Sequence, residues 1–172
     1  GAYYATLTDC VVEQNSAQYG GGAYYATLTE CVVRQNSASY CGGAAAYATL
    51  LDCVVEGNNA PYGGGTYHGT MTNCSVVGNT ASSYGGGTYF GEMNASVISG
   101  NNAQYGGGTY YGTANNSSII GNSATYGGGT YFGTLNMCEF ALGPTGHNEY
   151  LGHCRNPWNP LHVSGGSSSG SG

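Results

Sequence analysis

A pattern that returns every 21 or 22 positions runs through most of this 172-residue chain. Cysteine marks it at Cys10, Cys31, Cys53 and Cys74, serine takes the same place at Ser96 and Ser117, and cysteine returns at Cys138. An asparagine column keeps the phase: Asn15, Asn36, Asn58, Asn79, Asn101, Asn122. Two steps carry one extra residue, which we place near Ala44–Ala46 and at Ser82–Ser83. A unit this short cannot bury a core alone, so its route to stability is to stack on copies of itself.

Within a unit, apolar positions alternate at short range, which favours strands over helix. Relative to the cysteine column, an apolar residue stands three places earlier (Leu7, Leu28, Leu50, Met71, Met93, Ala114, Leu135) and another two places later (Val12, Val33, Val55, Val76, Ile98, Ile119, Phe140). A small residue stands five before it: Ala5, Ala26 and Ala48, then Gly69, Gly91, Gly112 and Gly133. These columns and the Cys/Ser column form the expected inward set. The Leu-to-Cys spacing is odd, so the strand must bend between them, where Asp9, Asn73 and Asn116 tolerate the left-handed conformation. Parallel stacking at about 4.8 Å per coil turns each column into a ladder, with the asparagines as an amide ladder. Seven such coils would make a rod of roughly 34 Å.

"GGAYYATLTECVVRQNSA" (21–38) resembles the repeats of right-handed parallel β-helices in polymorphic outer-membrane proteins and autotransporter adhesins. That resemblance implies an all-β, right-handed parallel β-helix (β-solenoid) of about seven coils over residues 1–142, followed by an irregular tail over 143–172. It implies an extracellular or cell-surface rod if the chain is natural.

Composition narrows the partners. The chain has no lysine, only Arg34 and Arg155 as arginines, and a net charge of −6, so a nucleic-acid backbone is excluded as a partner. No apolar run reaches the length of a membrane span. Residue 1 is Gly rather than Met, and the chain reads as an excised fragment with an uncapped first coil. Such a strand edge templates end-to-end self-association.

Three surface ladders are candidates for contact. One aromatic column runs Tyr3, Tyr24, Ala46, Tyr67, Tyr89, Tyr110, Tyr131; the next runs Tyr4, Tyr25, Tyr47, His68, Phe90, Tyr111, Phe132. Because strand neighbours face opposite ways, we assign the first inward and the second outward, as a stripe for glycans or a partner protein. Self-stacking that stabilises the ladder is the simpler role. A third set, Tyr19, Tyr40, Tyr62, Tyr84, Tyr105 and Tyr126, precedes the glycine clusters. Thr6, Thr27, Thr49, Thr70, Thr113 and Thr134 form a threonine ladder, with Thr8, Thr29 and Thr72 two residues on. Its "TLT" motif resembles the Thr-x-Thr arrays of ice-binding β-solenoids, with breaks at Leu51 and Glu92. The cysteine column reads as small buried thiols rather than disulfides, since parallel Cβ vectors suit a bridge poorly. Cys41 and Cys154 lie off the column and are expected to be accessible. No zinc spacing and no cofactor motif is present. Asp9, Glu30 and Asp52 form an acidic stripe, but without a basic partner it does not support lyase chemistry; Arg34 is expected to neutralise Glu13 and Glu56.

From Leu135 the pattern changes. "EFA" (139–141), "GHN" (146–148), "RNPW" (155–158) and "GGSSSGS" (165–171) resemble, in order, the amidase signature family. The resemblance implies a bridging serine at Ser167 with Ser168 beside it, relaying protons between a lysine and a nucleophilic serine. The chain has no lysine and lacks the nucleophile segment, and a nucleophile without its base is inert, so no amidase activity is expected. The overlap at Cys138 and Phe140 reads as a join between unrelated sequences: a designed chain, a chimera or an assembly artefact.

Overall fold

The computed structural model describes residues 1–131, 155–156 and 159–163. Residues 1–131 are all β, with parallel strands stacked as a β-solenoid of about six turns. Each turn contributes one short strand to each of four parallel sheets. In chain order the first turn gives Ala2–Tyr3, Thr6–Thr8, Val11–Glu13 and Ser16–Tyr19. We call the four sheets the first to fourth sides. A seventh turn begins with Thr130–Tyr131, paired to Thr109–Tyr110; the rest of it lies outside the described residues. The described residues contain no helix, and none therefore long and apolar enough to cross a membrane.

A single residue of positive φ makes each corner. In the first turn these are Tyr4, Asp9, Gln14 and Gly20, and the second repeats them at Tyr25, Glu30, Gln35 and Gly42. The second and third sides are thus five-residue units: residues 1 and 3 point in, 2 and 4 point out, and residue 5 turns the corner. Ala26, Leu28, Cys31, Val33, Asn36 and Ala38 are accordingly buried, while Thr27 and Glu30 between them are exposed. The expected bend between the Leu and Cys columns is this corner, and it resets the alternation.

That reset corrects the aromatic assignment. On the first side the strand residue Tyr24 and the corner residue Tyr25 both lie outside, half-buried and exposed, with their rings 4.7 Å apart. The inward residue of the first side is instead Ala23, Ala45, Thr66, Thr88 or Thr109, each at most 1% exposed. The first insertion is also displaced from its expected place. It lies in the fourth-side strand Ser37–Cys41, where Cys41 takes the register position of Tyr19 and Tyr62 and the two residues Ser39 and Tyr40 stand where the first turn has Gln18 alone. The second insertion lies in Thr80–Tyr84, as expected.

The core is a stack of identical layers. Leu28, Leu50, Met71 and Met93 fill the second side and Val33, Val55, Val76 and Ile98 the third, all fully buried. Each such side chain contributes about 1.5–3 kcal/mol of transfer free energy. The buried asparagines satisfy one another. Asn58 donates its Nδ2 to Asn79 Oδ1 at 2.9 Å and to the Val33 carbonyl at 2.9 Å, while its backbone N–H reaches the same Oδ1. The pattern repeats from Asn15 to Asn122, so the polar column fits an apolar interior without orphaned groups.

Two columns change together along the solenoid. Where the inward first-side residue is alanine, alanine also begins the second side: Ala2 with Ala5, Ala23 with Ala26, Ala45 with Ala48. Where it is threonine, glycine does: Thr66 with Gly69, Thr88 with Gly91, Thr109 with Gly112. A Cβ on Gly91 would lie 2.0 Å from Thr88 Oγ1, so the larger side chain requires the smaller partner.

Chain contacts group residues into Gly1–Thr134 and Leu135–Gly172. The expected boundary at residue 142 lies outside the described residues. Within the second unit, Arg155–Asn156 pairs antiparallel with Asn159–Val163, a local regularity in a stretch expected to be mostly irregular.

Candidate functional site

The most distinctive surface is the aromatic edge at the start of the second side. Tyr4, Tyr25, Tyr47, His68, Phe90 and Tyr111 occupy one corner in successive coils, all with positive φ. Left-handed backbone costs a non-glycine residue about 1–2 kcal/mol. Ring stacking offsets it: successive centroids lie 5.1, 5.0, 5.4, 4.8 and 5.0 Å apart, with interplanar angles of 4–12°. Each such pair contributes about 0.5–1.5 kcal/mol, the same order as the corner strain. Phe132, expected to extend the column, lies outside the described residues.

In the neighbouring column Tyr24, Tyr67, Tyr89 and Tyr110 are half-buried and pack edge-on against it, as between Tyr89 and Phe90 at 4.7 Å and 82°. Tyr67, Tyr89 and Tyr110 stack among themselves at 5.2 and 5.3 Å. The third set joins from the other side: Tyr84 reaches Tyr110 at 4.7 Å and continues through Tyr105 to Tyr126. Three stacks thus form one aromatic surface. Because stacked neighbours occupy the ring faces along the axis, the surface presents ring edges and phenol hydroxyls. Partial burial raises the pKa of Tyr24, Tyr67 and Tyr89, so these hydroxyls remain donors well into the alkaline range. Burial lowers that of His68, so the ring stays neutral in its stack.

The columns have one gap. Ala46 replaces tyrosine between Tyr24 and Tyr67 and is fully buried. Cys41 is 1% exposed, contrary to the accessible position expected for it, and burial pushes its thiol pKa up to about 11. It holds the register position of Tyr19 and Tyr62 and lies beside Tyr24 and Tyr67.

On the second side Thr6, Thr27, Thr49, Thr70 and Thr113 are exposed. Thr27, Thr49 and Thr70 are direct register partners, as are Thr29, Leu51 and Thr72. Glu92 interrupts the first of these ladders, pairing with Thr70 and Thr113. Thr134 lies outside the described residues. At the following corner, Asp9, Glu30, Asp52 and Asn73 align, and Asn73 donates to Asp52. Arg34 pairs with Glu13 at 2.8 Å, in the open, which fixes one of the two acidic partners expected for it. Ser167, Ser168, Cys138 and Cys154 lie outside the described residues.

The model of one family, Amidase, matches residues 117–172. Its match reaches back into the sixth turn, where Ser118–Ile120 and Ser123–Tyr126 pair with the coil before. A glutamyl-tRNA(Gln) amidotransferase subunit of Neisseria meningitidis serogroup C / serotype 2a (strain FAM18) is 61% identical over 36 residues, which is 21% of this chain and 8% of that protein. The Legionella pneumophila and Ruthia magnifica proteins of the same name are 56% and 53% identical over 36 residues, again 21% of this chain and 8% of theirs. The C-terminal stretch is similar to amidases. The chain spans less than a tenth of the length of these relatives. No solved structure matches it.

Proposed function

We propose that this chain is a non-enzymatic β-solenoid, a structural or adhesive rod that presents regular ladders on flat sides, extracellular or at the cell surface if natural. The observation that carries this reading is the unbroken aromatic edge from Tyr4 to Tyr111, exposed in every coil. A ligand meeting it touches ring edges and the hydroxyls of Tyr4, Tyr25, Tyr47 and Tyr111, which suits a hydrogen-bonding glycan or a partner protein. A glycan array probed with the full chain tests the adhesive part: binding lost in Tyr25→Ala/Tyr47→Ala supports it, and no binding to any immobilised sugar or partner surface speaks against it. Parallel ladders of this kind can pair with a second copy through an unpaired strand edge, and we propose self-association as part of this reading. A sedimentation series is expected to give a rising weight-average mass with concentration, and a strict monomer throughout would refute that part.

Ice binding is the second reading, supported by the in-register Thr27, Thr49 and Thr70; thermal hysteresis lost in Thr49→Leu would establish it. The amidase-like stretch is read as an inactive fragment, because the chain has no lysine to activate a nucleophile. Hydrolysis of a generic amide by the purified chain would overturn that.

A further inference from the structure

The column Cys10, Cys31, Cys53 and Cys74 has no part in the surfaces above. Its thiols are held alike: each Sγ lies 3.1–3.2 Å from the carbonyl oxygen two residues earlier, at Thr8, Thr29, Leu51 and Thr72. Identical placement in successive parallel coils makes the sulfur column repeat with the strands, at about 4.8 Å. The sulfurs therefore lie along a line rather than around a point. Among the described residues no three His, Cys, Asp or Glu side chains converge to hold an ion, so three- and four-coordinate sites do not arise here. A linear bridge between ladder neighbours does fit: two metal–sulfur bonds of about 2.3 Å laid end to end nearly span one coil step.

Charge and softness select the ion. Cys31, Cys53 and Cys74 are 1–3% exposed, and uncompensated charge is costly at such depth. Two thiolates and one divalent cation are neutral together, and thiolate donors favour soft metals. We propose that the neighbour pairs Cys10–Cys31 and Cys53–Cys74 each bind one soft, linearly two-coordinate divalent metal ion of the mercuric class, held between coils along the solenoid axis. Each ion forms two metal–sulfur bonds and releases the two thiol protons to solvent; no electrons are transferred. Cys10, the least buried of the four, gives the column an accessible end.

The test uses the full chain carrying Cys41→Ala, Cys138→Ser and Cys154→Ser, so that only ladder thiols remain. Mercuric chloride is added anaerobically, followed by gel filtration, metal analysis and X-ray absorption spectroscopy. We expect about one ion per thiol pair, two protons released per ion, two sulfur neighbours per metal, and an unchanged β circular-dichroism spectrum. Adding Cys31→Ser and Cys74→Ser leaves no neighbouring thiols and should abolish the two-sulfur signature. That variant should fold, because Ser96 already occupies the column and its Oγ accepts from the Cys74 N–H at 3.0 Å. The proposal is overturned by one ion per thiol with a single sulfur each, by three-sulfur coordination, by no uptake, by uptake only with loss of the β signal, or by a signature that survives in the doubly substituted variant.

Discussion

Replacing Gly91 with alanine tests the packing logic at a single atom. The added Cβ would stand 2.0 Å from Thr88 Oγ1 and 3.0 Å from Thr88 Cβ and Cγ2. Thr88 is fully buried and its hydroxyl accepts from Thr66 Oγ1 at 3.0 Å, so it has no free direction in which to move. Overpacking of this kind costs about 1–3 kcal/mol. Thr88→Ala alone loses that hydrogen bond and leaves a small void, at about 1–2 kcal/mol. Together the two changes recreate the alanine pair of the second turn, Ala23 with Ala26, both buried. The double variant should therefore be more stable than Gly91→Ala alone, with a coupling of about 1–3 kcal/mol. Urea unfolding followed by circular dichroism on the four proteins measures it. A neutral Gly91→Ala, or effects that add within about 0.5 kcal/mol, would refute the reasoning.

Two further outcomes follow from the ladders. Asn79→Ala removes the acceptor for the Asn58 backbone and side-chain amides and the donor to the Val55 carbonyl; with buried groups orphaned at about 1–3 kcal/mol each, the urea midpoint should fall sharply, far more than for an exposed Thr49→Ala. Because the folded pKa of His68 is lowered by burial, its contribution is present above the ordinary histidine value of about 6.5 and is lost as pH falls through the folded value. The melting temperature should therefore decline across that acidic window in the parent and decline less in His68→Phe, which places in this column the residue found at Phe90.

The repeat, the amide ladder and the inward Leu, Val and Cys columns were legible because each recurs in the sequence and follows from stacking alone. The bend before the cysteines was legible through Asp9, Asn73 and Asn116. The aromatic corner was not. Tyr25, Glu30 and Gln35 hold positive φ although their side chains have no intrinsic preference for it, so strict alternation ran on through the corner and sent Tyr24 inward. The conformation there is imposed by the coils above and below. Cys41 was misplaced for a related reason: an insertion can be absorbed anywhere in a coil, and only the register of Ser37–Cys41 against its neighbours reveals where the bulge falls. The Thr88–Gly91 compensation was visible as two covarying columns, but their contact across a corner required the fold. For the candidate site, exposure of the Tyr4-to-Tyr111 column was readable from the sequence, whereas the orientation of its rings, edges outward, was not.

The central claim is that each turn lies parallel and in register on the next. Nuclear Overhauser contacts in isotope-labelled protein test it most directly. The account predicts inter-strand backbone contacts from Val33 to Val55 and from Val55 to Val76, repeated at the same offset from coil to coil. Contacts dominated by residues three or four apart, or by antiparallel partners, would contradict it.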